Sequence, residues 1–373
     1  MEYKIIDTTS ALEAVCELAT EADSVMLDTE FVRTRTYFPQ LGLIQLYDGE
    51  NLSLIDPSCI DDMSSFEKLL KEASVLKVLH ACGEDLEVFK QSFGCTPFPM
   101  IDTQIMAAFL GHGLSTGFAS LVNQYLNIEL DKSESRTDWL ARPLTLRQLE
   151  YAAADVYYLL PLFNSLDQQI IQSGWKEAAF QESELLIEKR CAVSNPELAY
   201  IDIKGAWQLD PKQLAVLKPL AIWRLQEALK KDISLNFVFK EQDLWTVAKL
   251  GIKSLRVMNE EGFDQRAIRR HGEKIIQIVK NAEQLSEDQW PEKIERLMDK
   301  PGYKQIFKVL KDHVKQVSQS TNLASEFLAS KKQLNQLISW AWKKNRDPEM
   351  LPDLMIGWRK DLLGEKLDTL LKG

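Results

Sequence analysis

The chain has 373 residues, of which 45% are hydrophobic and 27% charged, with a formal net charge of −10. This composition is typical of a folded globular protein with two or three domains and excludes a disordered chain. No apolar run approaches the roughly 20 residues that span a bilayer, so we expect no membrane partner. The first ten residues lack the basic and apolar stretches of a secretory signal, so the expected location is cytoplasmic.

The net negative charge of the chain comes from its first half, and the second half is net positive. Residues 1–190 carry 14 lysines and arginines against 30 acidic residues, whereas residues 191–373 carry 31 against 25. Taken as a whole, the acidic balance argues against a nucleic-acid partner, because phosphate binding needs positive charge. Composition alone favours a solvated acidic surface over carboxylates clustered around divalent metal. The opposite signs of the two halves nevertheless suggest two separate roles.

The first half alternates strand and helix signals. Strands are predicted at 24–31, 41–47, 52–55 and 75–79, and an Asp48-Gly49 turn favours a hairpin between the second and the third. Helices are predicted at 11–20, 63–72, 84–93, 103–110, 117–126 and 145–167. A strand meander followed by strand–helix alternation predicts an α/β domain, with a mixed sheet covered by helices.

The second half is predicted to be all-α. Its apolar residues recur at helical spacing, as in residues 214–225, and 236–239 is the one stretch that resembles a strand. Proline and glycine mark a linker at 191–208 and a second break at 290–302. A weak internal repeat, in which Gly272-Glu273-Lys274-Ile275 returns as Gly364-Glu365-Lys366-Leu367, predicts two related helical modules.

Three segments carry acidic side chains in positions that could support chemistry. Asp28 and Glu30 lie on the same face of a predicted strand, because side chains alternate along a strand. Tyr151 and Asp155 share one helix face at i, i+4 spacing, and Asp85 lies where a strand turns into a helix. Each pattern alone has an ordinary explanation, namely an exposed strand end, a Tyr–Asp helix pair or a helix-dipole interaction.

Together, these four carboxylates predict a site for divalent metal. Oxygen-only ligands suit Mg²⁺ or Mn²⁺, and two such ions about 4 Å apart support phosphodiester hydrolysis. The five cysteines form no Cys-x-x-Cys pair and the four histidines are dispersed, so neither zinc nor a disulfide framework is expected. The glycines of residues 111–117 follow a helix and do not match the dinucleotide fingerprint, so no nucleotide cofactor is expected.

The order and spacing of the motifs resemble the tyrosine-containing subgroup of the DEDD superfamily of 3′→5′ exonucleases, and the ribonuclease D family within it. Residues 130–139 resemble this family as well, and the C-terminal segments resemble HRDC modules, the helical domains shared with RecQ-type helicases. The resemblance rests on three motifs: Leu27-Asp28-Thr29-Glu30-Phe31, Leu79-His80-Ala81 with Glu84-Asp85-Leu86-Glu87, and Tyr151-Ala152-Ala153-Ala154-Asp155.

The resemblance implies a domain plan for the whole chain. Residues 1–190 would form a catalytic domain with a ribonuclease H-like exonuclease fold, in which a mixed sheet is flanked by helices. Residues 191–209 would be a linker. Two all-α helical bundles would follow, the first HRDC module at 210–289 and a second, HRDC-like module at 294–373.

The resemblance also implies a role for each motif residue. Asp28 would bridge two divalent ions, Glu30 and Asp155 would bind the ion that holds the attacking water, and Asp85 would hold the second ion through water. Tyr151 would orient the attacking water, since a phenol with a reference pKa of about 10 is a poor base at neutral pH. The reaction would remove nucleoside 5′-monophosphates from RNA 3′ ends, in tRNA precursors with 3′ extensions and other small structured RNAs.

Candidates for RNA contact lie beside the motifs, and each also has a structural explanation. Surface charge explains the basic residues equally well, and a hydrogen-bonded structural role explains the glutamine and the histidine. Three alternatives stay open for the function: a DNA exonuclease with the same metal site, an inactive nucleic-acid-binding protein, and helical modules that bind a protein partner. The candidates are Thr29, Arg33, Arg35, Gln45, His80, Lys132, Arg136 and Arg142.

Overall fold

A computed structural model describes residues 1–131, 133–193 and 195–372. Lys132, one of the candidates for RNA contact, lies outside the described residues. The chain forms two compact units: the first contains the described residues of 1–32, 39–192 and 301–372, and the second those of 33–38 and 193–300. Across the described ranges, no helix combines the length and the apolar character needed to cross a membrane.

The first unit is built on a sheet that has six strands within the described ranges, in the order β1-β4-β3-β2-β5-β6. The pairs β2–β3 and β3–β4 are antiparallel, whereas β1–β4, β2–β5 and β5–β6 are parallel. This arrangement confirms the predicted mixed sheet. The strands are β1 (Lys4–Ile6), β2 (Ser24–Val32), β3 (Gln40–Tyr47), β4 (Leu52–Ile55), β5 (Leu76–Leu79) and β6 (Met100–Asp102).

Helices flank this sheet. Val25 and Leu27 of β2 join a buried apolar core with residues of the first three helices, and the sixth helix contacts β2, β3 and β4. Because side chains alternate along a strand, Asp28 and Glu30 lie on the face opposite to that core. The helices are α1 (Thr9–Ala19), α2 (Ser64–Lys71), α3 (Gly83–Phe93), α4 (Thr103–Phe109), α5 (Phe118–Leu126), α6 (Leu146–Tyr157), α7 (Leu159–Ser173) and α8 (Lys176–Cys191).

One predicted helix is wrong in its length. The stretch 145–167 was expected to be continuous, but the structure has two helices, α6 and α7, separated at Tyr158. Pro161 explains the break, because proline lacks an N–H and its ring clashes with the preceding turn of a helix. At the third residue of α7, its missing N–H is one that a new helix would leave unpaired anyway.

The second unit is helical, and it includes a short segment from the loop between β2 and β3. In that segment, the backbone N–H groups of Tyr37 and Phe38 donate to Oδ1 of Asp232 at 3.0 and 2.9 Å, and Tyr37 packs against the apolar core of the unit. The strand suggested at 236–239 is wrong, because these residues overlap a helical turn. The helices are α9 (Pro211–Lys231), α10 (Leu235–Val238), α11 (Glu241–Leu250), α12 (Leu255–Glu260) and α13 (Gln265–Ala282).

The C-terminal helices belong to the first unit and pack against its α/β part. Phe109 and Trp175 form ring contacts with Phe327 and Trp358 from this C-terminal part. The buried guanidinium of Arg359 pairs with the carboxylate of Glu182 on α8 and donates to the carbonyls of residues 327 and 328. The predicted domain boundaries stay a prediction. The helices are α14 (Tyr303–Thr321), α15 (Ser325–Leu328), α16 (Lys331–Lys343), α17 (Gly357–Arg359), a π-helical turn (Lys360–Gly364) and α18 (Glu365–Lys372).

Candidate active site

Three carboxylates meet at one place in the first unit, and we call them the acidic cluster: Asp28, Glu30 and Asp155. One carboxylate oxygen from each residue lies within 4.8 Å of the others. The first two come from β2, and the third comes from α6, which packs against that strand. At the start of α6, the side chains of Thr145 and Gln148 form a capping box, which fixes where the helix begins and therefore which residues face the sheet.

Asp85 approaches from a different element. It lies in the first turn of α3, directly after β5, and 7% of it is exposed. Strand β5 pairs with β2 only over Ser24–Met26, so the later part of β2 has no strand beside it on that edge. The hydroxyl of Thr29 donates a hydrogen bond to Oδ1 of Asp85. The sequence therefore predicted the four acids, but not the contact that holds the fourth of them.

Asp102 was not predicted as a functional residue, yet it organises the turn that leads to Asp85. Its carboxylate accepts hydrogen bonds at 3.0 Å from the backbone N–H groups of Ala81 and Cys82, and it also caps α4 through the N–H of Gln104. The backbone of Ala81 has a φ of 54°, in the left-handed region. An aspartate just before a helix is a capping signal, but no local pattern shows that it also holds a turn 20 residues earlier.

The electrostatic environment of the four acids favours the binding of a cation. Burial and mutual repulsion raise the pKa of Asp28, burial raises that of Glu30 to about 9, and burial raises that of Asp155 to about 7. Burial also raises the pKa of Asp85 to about 6. Within the described part of the chain, no lysine or arginine forms a salt bridge with any of the four. Oxygen donors gathered without a compensating charge fit a hard divalent cation.

Tyr151 stands beside the acidic cluster. The carboxylate of Asp155, one helical turn further along α6, lies close enough to its hydroxyl to affect the pKa of the phenol. Burial, followed by the charges of Asp155 and Glu30, raises its pKa above the ordinary value of 10.0. The phenol therefore keeps its proton at neutral pH and has a hydrogen to donate, which agrees with an orienting role and argues against a role as base.

A short loop holds Trp139 against this tyrosine. The indole of Trp139 is 1% exposed, and its ring centre lies 6.1 Å from that of Tyr151. Gly42 of β3 makes this approach possible, because a Cβ there would lie 2.6 Å from the carbonyl oxygen of Trp139. Arg142 then secures the loop with hydrogen bonds to Asp56 and to the carbonyl of Trp139. Its guanidinium thus has a structural role in this loop, and the RNA contact suggested for it stays a prediction.

The other basic candidates differ in what they contact. Arg35 and Arg136 are exposed. The guanidinium of Arg33 donates to the carbonyl of Tyr37, inside the segment that belongs to the second unit. The structure thus leaves Arg35 and Arg136 open to solvent, and the RNA contacts of the basic candidates stay a prediction.

Gln45 and His80 have different surroundings. Gln45 is fully buried opposite Asp28 in the β2–β3 register, and neither of its amide atoms has a hydrogen-bond partner among the residues described. Its contact with RNA stays a prediction. Nδ1 of His80 lies 2.9 Å from the hydroxyl of Thr103, which donates to a backbone carbonyl, so Nδ1 is the donor. A structural role therefore explains the observed contact of His80.

Three family models match successive parts of the chain. A 3′-5′ exonuclease model matches residues 3–171, which include all four acids and Tyr151. An HRDC domain model matches residues 213–279, and a model of the C-terminal HRDC domain of ribonuclease D matches residues 301–367. The order of the matches agrees with a catalytic part followed by two related helical parts.

Comparison over the full length identifies the family. The chain is 50% identical to the ribonuclease D of Cronobacter turicensis over 368 residues, covering 99% of this chain and 100% of the relative. It is 49% identical to the ribonuclease D of Escherichia coli strain K12, covering 100% and 99%. The crystal structure of Escherichia coli RNase D, described as an exoribonuclease involved in structured RNA processing, superposes with a TM-score of 0.95 at 48% identity, covering 100% and 99%. The chain therefore belongs to the ribonuclease D family and is a 3′→5′ exoribonuclease, an enzyme that binds divalent metal and acts on RNA.

Proposed function

We propose that the acidic cluster holds two divalent ions, Mg²⁺ or Mn²⁺, for the hydrolysis of RNA from its 3′ end. The observation that carries this proposal is the convergence of three carboxylate oxygens within 4.8 Å. Asp28 would serve both ions. Glu30 and Asp155 would serve one of them, and Asp85 the other.

When bound, two such ions would activate a water molecule and stabilise the leaving 3′ oxygen. The residues of the chain have the remaining tasks. Tyr151, which lies beside Asp155 on α6, would donate or accept a hydrogen bond so that a water molecule points at the terminal phosphate. In-line attack on that phosphate would release a nucleoside 5′-monophosphate and leave a new 3′ hydroxyl for the next cycle.

The second unit supplies a surface for the RNA chain away from its 3′ end. A groove of about 500 Å³ lies within this unit, and we call it the basic groove. It is lined by four exposed cations, Arg35, Lys240, Arg266 and Arg270, and by two acids, Asp243 and Asp264. Phe237 also lines it, with 58% of its surface exposed. Positive charge beside an exposed ring is what a single strand needs for backbone contact and base stacking.

The substrates we propose are tRNA precursors with 3′ extensions and other small structured RNAs. The support is the description of Escherichia coli RNase D as an exoribonuclease involved in structured RNA processing. We also propose that the chain works in the cytoplasm, where thiols stay reduced. The five cysteines are all unpaired, which agrees with this location.

Product analysis tests this function. The protein is incubated with a 3′-extended tRNA precursor and with a DNA strand of the same sequence, with and without Mg²⁺ or Mn²⁺. We expect stepwise shortening of the RNA, nucleoside 5′-monophosphates as products, and no reaction without metal. Internal cuts, 3′-monophosphate products or faster cleavage of the DNA would overturn the proposal.

A further inference from the structure

Thr29 lies between two acids of the cluster in sequence, yet its side chain belongs to the other face of β2. Asp28 and Glu30 share one face because side chains alternate along a strand, and Thr29 projects the opposite way. Its hydroxyl donates to Oδ1 of Asp85, and only 5% of Thr29 is exposed. The threonine is thus shielded from solvent, and its hydroxyl has one described partner, a carboxylate of the site.

Asp85 needs such a partner because it reaches the site from a different direction. The acidic cluster comes from β2 and α6, whereas Asp85 is carried by α3 at the edge of β2 that β5 leaves open beyond Met26. A carboxylate at a helix start has rotamer freedom and is repelled by the other acids. A hydrogen bond to a charged acceptor is roughly twice as strong as one between neutral groups, and burial protects it from competition with water.

We propose that Thr29 is a positioning residue for Asp85. Its hydroxyl fixes one oxygen of the carboxylate, so that the other oxygen is directed towards the ion position that Asp85 serves. This inference rests on the proposed function, since it assumes that Asp85 serves a divalent ion. It gives Thr29 a role through Asp85 in place of the direct RNA contact that the sequence suggested.

Two substitutions separate the hydroxyl from the shape of the side chain. Thr29→Val keeps the branched shape and the strand preference but removes the donor, whereas Thr29→Ser keeps the donor. Binding of Mn²⁺ without RNA is measured by calorimetry, and single-turnover hydrolysis is measured against Mg²⁺ concentration. We expect Thr29→Val to weaken Mn²⁺ binding at one position by about 10–100-fold, the usual effect of removing a group that supports a metal ligand. Thr29→Ser should stay close to the wild type.

A double-substitution cycle with Asp85→Ala shows whether the effect passes through the carboxylate. Once Asp85 is gone, Thr29→Val should cause little further loss, because the two residues act as one unit. Thr29→Cys, whose thiol is a weak donor of similar size, should give intermediate binding and replaces the valine variant if the latter does not fold. Equal losses in both backgrounds, or Mn²⁺ binding and hydrolysis unchanged in the folded Val and Cys variants, would overturn the inference.

The two proposals fail in different ways. A wild-type protein that binds no Mn²⁺ or leaves RNA uncut would contradict the proposed function itself. A wild-type protein that binds Mn²⁺ and degrades RNA, together with a Thr29→Val variant that does both equally well, would contradict only the positioning role. Thermal unfolding of each variant without metal separates a loss of folding from a loss of ion binding.

Discussion

The hydroxyl of Tyr151 lies near the carboxylates of the acidic cluster, and its ring lies near the buried indole of Trp139. Burial and the neighbouring carboxylates raise the pKa of this phenol above its ordinary value. The phenol is therefore a hydrogen-bonding group throughout the neutral pH range. A protonated phenol can orient a water molecule through a hydrogen bond, but it cannot remove the proton of that water.

Tyr151→Phe should slow the chemical step by about 100-fold, the scale of loss expected when a reacting group is misplaced by about 1 Å. RNA affinity should hardly change, because the ring and its packing are retained. Single-turnover rates and binding measured without divalent metal separate the two effects. The pH profile should keep its shape in the variant. A loss of affinity that accounts for the slower rate, or the disappearance of an ionisation from the profile, would contradict the orienting role.

The sequence was sufficient for the individual site residues but not for their contacts. Periodicity pairs Asp28 with Glu30 and Tyr151 with Asp155, the resemblance to exonucleases singles them out, and the structure brings them together. The bond between Thr29 and Asp85 joins positions 56 residues apart, and no local pattern encodes it. Periodicity shows which face a side chain occupies, whereas a specific partner depends on how separate elements pack.

Among the secondary-structure elements, the turn between β5 and α3 has the closest connection to function. It carries Asp85 to the site and depends on Asp102, which accepts hydrogen bonds from two of its N–H groups and from a third at the start of α4. Ala81 adopts a left-handed conformation there, which L-residues with a Cβ adopt at a cost of about 1–2 kcal/mol. The hydrogen bonds to Asp102 offset that cost.

Asp102→Ala would remove the acceptor of three backbone N–H groups, one buried and two part-buried, and a buried N–H left unpaired costs about 1–3 kcal/mol. We expect the free energy of unfolding to fall by about 3 kcal/mol. The rate of RNA hydrolysis should also fall at temperatures at which the variant is still folded. Asp62→Ala is the matched control, because this exposed carboxylate accepts the backbone N–H of Ser64, and it should cost about 1 kcal/mol. Chemical denaturation and RNA hydrolysis of both variants test this. If both variants lost the same small amount of stability and activity, Asp102 would not hold the turn.

Elements were predictable where their sequence patterns are long enough to read. Strands β2 to β5 match the predicted stretches, whereas β1 and β6, with three residues each, are too short to show alternation. The single helix predicted for 145–167 did not take account of Pro161. The stretch 236–239 overlaps a helical turn in which Leu235 and Val238 pack towards the core of the second unit. A pattern of only four residues cannot distinguish such a turn from a strand.

For the whole molecule, the distribution of charge matters more than its sum. The net charge of −10 first argued against a nucleic-acid partner, yet the chain belongs to a family of exoribonucleases. Four of the acids are assigned to the proposed metal site, and two divalent ions would offset about four negative charges. We propose that the positive charge that contacts RNA is concentrated locally, as in the basic groove of the second unit.

The double variant Arg266→Ala/Arg270→Ala removes two neighbouring charges from one side of α13 and from the basic groove. RNA affinity should fall, and the slope of log affinity against log salt should become shallower by about 1.4, or 0.7 for each lost phosphate contact on a single strand. Arg256→Ala/Arg269→Ala removes the same charge from exposed positions outside the groove. Fluorescence anisotropy without divalent metal measures both. Equal salt slopes for the two double variants would contradict the role of the groove.

The most direct test of the central claim is Mn²⁺ binding by Asp28→Asn, measured by calorimetry together with release of nucleotides from an RNA 3′ end. The variant should bind Mn²⁺ far more weakly and release no detectable nucleotide. Its melting temperature without metal should not fall and is expected to rise, because one of four mutually repelling carboxylates is gone. Ion binding and hydrolysis equal to those of the wild type would contradict the assignment of the acidic cluster as the metal site.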